Sequence, residues 1–226
     1  QRISAFDDAQ NAAKTNQPVE RGYWDMNTLD ANAFYNPQDN SINILLGILG
    51  GDFYRDGMSD EELLGGIGAV IGHEISHAFD TSGAQFDANG SMTNWWSEAD
   101  YATFRDRAAR LIEYYDTINP FGRHHADGTT VQTEAIADIT GLKCMLALAK
   151  DKPDFDYEAF FTQFARIWRR LASIQSEYIL LNYDKHPLGY LRTNVSVQQF
   201  EEFMDAFSVQ PGDKMYLAPE DRISVW

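Results

Sequence analysis

Residues 69–80 read AVIGHEISHAFD, and this stretch limits the possible folds more than any other. Ala69, Val70, Ile71, Ile75, Ala78 and Phe79 make it apolar, yet it carries His73, Glu74 and His77. In a helix, residues i and i+4 lie one above the other, so both imidazoles face the same way and Glu74 sits one step round. Buried ionisable groups need partners, so whatever packs on this face must supply them. The residues allow two readings: an apolar helix with two incidental histidines, or a metal site. Two imidazoles at this spacing can hold one ion at about 2.0–2.1 Å, the distance usual for zinc. Glu74 is then placed to take a proton from a water on that ion, the HExxH arrangement of zinc hydrolases. The chain has 5 histidines, and the fact that two fall in this apolar stretch favours the metal.

A catalytic zinc wants a third protein ligand and an open position. The metzincin continuation needs glycine at position 80 and histidine at position 83, where this chain has Asp80 and Gly83. A carboxylate from a second helix is the other common choice, and TEAIADITGL, residues 133–142, offers one. Glu134 and Asp138 are four apart on one face of an otherwise apolar segment. They are either a solvated pair on an exposed face, or a metal ligand (Glu134) with a partner for the outer N–H of a ligand histidine (Asp138). Asp80, three residues past His77, is placed to do the same for that ring. Taken alone, His186 reads as a loop residue and Arg192 as a surface charge.

Several blocks, in order, resemble the neprilysin family of zinc endopeptidases, which includes endothelin-converting enzyme and bacterial oligopeptidase O. NAFYNPQDNSINILLGIL is similar to NAFYxPxxNxIxxPAGIL, and GGIGAVIGHEISHAFDTSGAQFDANGSMTNWW to GGIGxVIGHEIxHxFDxxGxxxDxxGxxxxWW. TEAIADITGL stands where the family has GENIADxGGL, HPLGYLRTN matches HxPxxxRxN in part, and PGDKMYLAPEDRISVW resembles the family's C-terminus. The likeness runs from about Val19 to Trp226.

The resemblance implies a mainly helical, thermolysin-like (gluzincin) catalytic domain with a small sheet whose edge strand binds substrate. It implies one zinc ion held by His73, His77 and Glu134, with Glu74 as general base and Asp80 and Asp138 orienting the histidines. His186 would steady the oxyanion, and Arg192 would bind the carbonyl after the scissile bond. Asn32 and Ala33 would grip the backbone of an oligopeptide substrate. Ile48, Phe53, Val70, Ile167 and Trp168 would form an apolar pocket for a bulky residue on the primed side. The implied activity is endopeptidase cleavage before such residues; a zinc- or peptide-binding fragment without turnover is the alternative. Family members carry several hundred more residues upstream, so a helical capping domain, or a separate chain, is an expected partner. Departures from the pattern are Thr133 and Ala135 flanking Glu134, Leu45 and Leu46 in the first block, and Val209 and Ile223 in place of cysteines.

The remaining residues give an α+β pattern over residues 1–226, read as a single domain. Helices are expected from Ile3 to Lys14, from the Ser59–Glu62 capping box into residues 69–80, after Ser97, over Thr133–Ala149, from Tyr157 to about Leu181, and from Ser196–Gln199. Two short strands flank the turn Asn36–Asn40. A net charge of −16 opposes nucleic-acid or anionic-membrane partners. No apolar run approaches the ~20 residues of a membrane span. One cysteine, Cys144, leaves no intrachain disulfide. These features suit a bacterial-like cytoplasmic protein, or a secreted or surface-anchored one if a signal precedes Gln1. Asp87–Ser91 hints at a calcium loop but reads better as a tight Asn-Gly turn. His124 and His125, beside Arg123, read as exposed loop residues. Arg166, Arg169 and Arg170 read as a basic helix face.

Overall fold

A computed structural model of the chain describes residues 2–18, 24, 26–122 and 124–226. Val19, where the resemblance begins, and Arg123 lie outside the described residues. The architecture is mainly helical with one small antiparallel sheet, as expected. Helix α1 spans Arg2–Ala13. Strands β1 (Ala33–Asn36) and β2 (Ser41–Ile44) pair with Ala33 opposite Ile44 and Asn36 opposite Ser41. Asn36 and Asp39 brace the turn by accepting from the Gln38 N–H and the Ser41 hydroxyl, and Asn40 takes a left-handed φ of 52°. Only β2 pairs with β1 among the described residues, so the outer edge of β1 is open to another strand.

The capping box at Ser59 forms and opens α2, Asp60–Leu63. The expected continuous helix is broken by a π-type turn over Leu64–Gly68, centred on Gly66 (φ −94°, ψ −112°), before α3 resumes at Ala69–Ser76. The cause is non-local. Ile67 gives its N–H to the Phe53 carbonyl at 2.8 Å, leaving the helical ladder, and a Cβ at Gly66 would meet that same carbonyl at 2.7 Å. Only a residue without a side chain lets the loop come so near.

Helix α4 (Glu98–Asp116) is capped by Ser97 and buries Phe104, Ala108, Leu111 and Tyr115. Helix α5 (Gly128–Ala149) is largely buried and packs apolar residues on two flanks, leaving Thr129, Thr130 and Lys143 exposed. One flank (Leu142, Met145, Leu146) joins a core with Ile67, Val70, Phe160, Phe161 and Phe164. The other (Val131, Ala135, Ile136, Ile139) joins a core with Leu111, Leu191 and Val225. Helices α3 and α5 touch backbone to backbone where Gly72 meets Gly141: a Cβ on Gly141 would stand 2.7 Å from the His73 nitrogen.

Two expected helices divide differently. The long helix from Tyr157 is two: α6 (Tyr157–Ile167) and α7 (Ile174–Tyr183), the second capped by Ser173. The break at Trp168 accommodates the backbone of Gly189, where a Cβ would lie 2.6 Å from the Trp168 carbonyl oxygen. The three arginines therefore share no helix face: Arg166 is on α6, while Arg169 pairs with Asp52 and Arg170 with Glu177. Ser196–Gln199 do not start the last helix. Ser196 lies within α8 (Gly189–Val197), and α9 begins at Glu201 and runs to Ala206. Gln198 and Gln199 are buried and hold other segments instead: Gln198 accepts from the Tyr114 hydroxyl, and Gln199 from the Ile223 N–H. No helix among the described residues is long and apolar enough to cross a membrane.

Candidate active site

The close α3–α5 crossing sets the two ionisable faces against each other. His73 Nε2 and His77 Nε2 lie 3.0 Å apart. Glu134 Oε2, from α5, stands 3.3 Å from the first and 3.7 Å from the second. Donors around a tetrahedral ion at about 2.0–2.1 Å lie roughly 3.3 Å from one another, so this spacing suits zinc. The outer nitrogens are occupied. His73 Nδ1 contacts Asp138 Oδ1 at 2.8 Å, and His77 Nδ1 contacts Asp80 Oδ2 at 2.5 Å. A carboxylate on Nδ1 holds the proton there and turns the Nε2 lone pair inward. Asp80 is itself fixed, accepting from the backbone N–H groups of Ser82 and Gly83.

Glu134 is 1% exposed, and neither of its oxygens receives a directed hydrogen bond. Two side chains approach it instead: His186 Nε2 is 3.3 Å from Oε2, and the Lys185 ammonium is 2.8 Å from Oε1. A buried carboxylate is costly unless positive charge meets it, and Oε2, turned to two inward imidazole lone pairs, completes a metal donor set with them. One oxygen of Glu74 also falls within 4.8 Å of the two imidazole donors, near enough to reach a ligand of the same ion.

The electrostatics reflect this crowding. Burial disfavours the charged form of His73, but Asp138 and Glu134 outweigh it and raise its pKa to about 9. Burial likewise works against ionised Glu134, and His73, His186 and His77 together hold it well below the usual carboxylate range. Glu74 is shifted upward, chiefly by burial.

Arg192 is buried. Its Nε donates to Asp138 Oδ2 at 2.8 Å and an NH2 nitrogen to Oδ1 at 2.6 Å, while the guanidinium lies 3.6 Å from the centre of the Trp168 ring. His186 Nδ1 sits 2.7 Å from Asp184 Oδ1.

These groups line one cavity of about 500 Å³. Asn32, Ala33, Phe34 and Tyr35 form one wall along the open edge of β1, and Ile48, Phe53, Val70 and Trp168 give it an apolar end. Phe53 meets Trp168 edge-on at 6.3 Å between ring centres. The sequence-predicted residues thus gather here, with two exceptions. Asp138 is not in the lining but holds His73 and Arg192. Ile167 does not line the cavity: the last turn of α6 sends it into the core, and Trp168 takes the cavity side. Lys185 and Asp184 join the site without a sequence motif to announce them, and Thr133, the departure beside Glu134, bonds the Thr81 hydroxyl at 3.1 Å. The one local signal for Lys185 and Asp184 is their place just before His186. Elsewhere, Asp87 accepts from the Asn89 and Ser91 N–H groups in a tight turn, and His124 packs on Tyr178, away from the cavity lining.

The profile described as Peptidase family M13 matches residues 32–223. A neutral endopeptidase of Lactococcus lactis subsp. cremoris is 40% identical over 218 residues, which are 96% of this chain and 35% of that protein. The crystal structure of PepO from Lactobacillus rhamnosis HN001 superposes with a TM-score of 0.86 at 38% identity, covering 91% of this chain and 33% of that one. The Mycobacterium tuberculosis zinc metalloprotease Zmp1, solved in complex with an inhibitor, gives 0.89 at 32% identity, covering 96% and 36%. The chain therefore spans about a third of the length of these relatives. On the matched profile and the identity carried along nearly all its residues, the chain belongs to peptidase family M13.

Proposed function

We propose that this chain is the catalytic part of a zinc-dependent endopeptidase that hydrolyses oligopeptides on the N-terminal side of bulky apolar residues. One observation carries the reading: His73, His77 and the buried Glu134 carboxylate converge on one point, with Glu74 beside it. When bound there, one zinc ion per chain supplies Lewis acidity, making a water more acidic and drawing charge from the scissile carbonyl. Glu74 takes the proton of the attacking water. Burial raises its proton affinity, which suits a base that must hold that proton and pass it to the leaving nitrogen. Asp80 and Asp138 keep the imidazoles in the tautomer with Nε2 free.

His186, held by Asp184, steadies negative charge as it develops on the carbonyl oxygen. Arg192, fixed by Asp138 and Trp168, turns its remaining N–H groups to the carbonyl after the scissile bond. The open edge of β1, with Asn32 and Ala33, takes the peptide backbone as an added strand, so sequence preference falls to side-chain pockets. Ile48, Phe53, Val70 and Trp168 receive the bulky side chain, and Ile167 supports this wall from the core.

A second reading is favoured by the chain's coverage of only about a third of its relatives. In it the chain binds zinc and peptide but turns over only when an upstream helical capping domain, or a separate chain, closes the cleft. Incubating the zinc-loaded chain and its Glu74→Gln variant with mixed short peptides, and identifying products by mass spectrometry, tests the first reading. Cuts before Phe, Leu or Ile that need Glu74 support it. Bound zinc without cuts supports the second, and no bound zinc overturns both.

A further inference from the structure

Glu134 uses its two oxygens differently. Oε2 faces the imidazole nitrogens of His73 and His77, while Oε1 faces Lys185 Nζ at 2.8 Å. The carboxylate is 1% exposed and the lysine side chain 70% exposed, so a solvent-facing cation rests on a buried anion. Lys185 is the one lysine lining the cavity among the described residues. The other permanent cation there, Arg192, is committed to Asp138.

We propose that Lys185 is a positioning residue that draws the charge of Glu134 towards Oε1 and so would loosen the hold of Oε2 on a metal. The inference rests on the metal-site reading above. A cation beside Oε1 stabilises negative charge there and draws it away from Oε2, so the facing oxygen becomes a poorer donor. The ammonium also repels a divalent ion in the same site. In the metal-free chain it supplies Glu134 with a counter-charge that the incoming ion must out-compete. Carboxylates and carbonyls that accept from ligand histidines act the other way, raising ligand basicity, and their loss weakens metal binding. Lys185 therefore predicts the opposite sign: removing its charge tightens the site. Solvent exposure limits the effect to about two- to tenfold.

The test is the zinc dissociation constant of the chain, measured by competition with a chromophoric chelator at low and high salt. Wild type, Lys185→Met, Lys185→Gln, Lys185→Arg and Glu134→Ala are compared. Both neutral variants should bind zinc about two- to tenfold more tightly than wild type at low salt. The gain should shrink near 1 M salt, where screening acts within about 3 Å. Lys185→Arg, which keeps the charge, should match wild type within about twofold. Neutral variants that bind zinc equally or more weakly at low salt overturn the proposal, as does a gain that ignores salt. If wild type binds zinc no better than Glu134→Ala, the ligand assignment itself has failed and this inference falls with it. A normal difference there, with unchanged Lys185 variants, removes this inference alone.

Discussion

The contact between Gly72 and Gly141 makes the metal site depend on a helix spacing, and a single methyl group tests it. A Cβ at Gly141 would lie 2.7 Å from the His73 nitrogen and 2.9 Å from the Ala69 oxygen. Ordinary contact needs about 3.5 Å, so relief along that line moves α3 from α5 by about 0.8 Å. His73 rides on α3 and Asp138 on α5, and their 2.8 Å contact would open to about 3.6 Å, beyond a hydrogen bond. Lost orienting contacts of this kind cost ~10–100-fold in metal affinity. Fold stability responds less. Overpacking costs ~1–3 kcal/mol, and alanine regains ~1 kcal/mol of helix propensity over glycine. The net ~0–2 kcal/mol corresponds to a fall of ~0–8 °C in melting temperature for a domain of this size. Gly141→Ala should therefore remain folded by circular dichroism while its zinc affinity, by chelator competition, drops ~10–100-fold. Gly50→Ala, where nothing lies within 4 Å of the added carbon, is the control and should bind zinc normally. A Gly141→Ala chain with wild-type zinc affinity would refute the idea that this crossing sets the site.

Glu74→Gln should keep its zinc by atomic absorption and lose ~10²–10⁴-fold in peptide turnover, if turnover is present, because only the proton acceptor is gone. Asp138→Asn leaves the Arg192 guanidinium buried without its anion; urea unfolding should report a loss of about 3–5 kcal/mol. Zinc at 100-fold excess over its dissociation constant should stabilise the chain by about 2.7 kcal/mol, and a chelator should reverse the resulting ~5–11 °C rise in melting temperature. Trp168→Ala opens the apolar end of the cavity and uncovers Arg192, so cleavage before Phe or Leu should lose its advantage over cleavage before Ala in a peptide-library digest.

Features written in neighbouring residues were legible in the sequence. The capping box at Ser59 joins residues three apart, and the Asn36–Asn40 turn carries its own side-chain braces. The gathering of Glu134 and Asp138 about His73 was legible for another reason: ionisable groups on apolar helices leave few ways to satisfy them. What stayed hidden depends on contacts between distant segments. The π-type turn exists because the Phe53 carbonyl captures the Ile67 N–H, and the break at Trp168 because Gly189 packs against it. Gln198 and Gln199 resemble the first turn of a helix until Tyr114 and Ile223 claim their amides. Ile167 and Trp168 are adjacent, and only the turn of α6 decides which one meets the cavity. Lys185 gives no local sign that its partner lies on α5.

Asp138 serves three nitrogens with two oxygens. Oδ1 is shared by His73 Nδ1 and an Arg192 NH2 nitrogen, and Oδ2 receives Arg192 Nε. A ligand that pulls on the guanidinium alters the charge left on Oδ1 for the imidazole, and an ion on His73 alters what remains for the guanidinium. The two occupancies are thus coupled equilibria. By thermodynamic reciprocity, whatever factor a metal applies to the affinity for a ligand at Arg192, that ligand applies to the affinity for the metal.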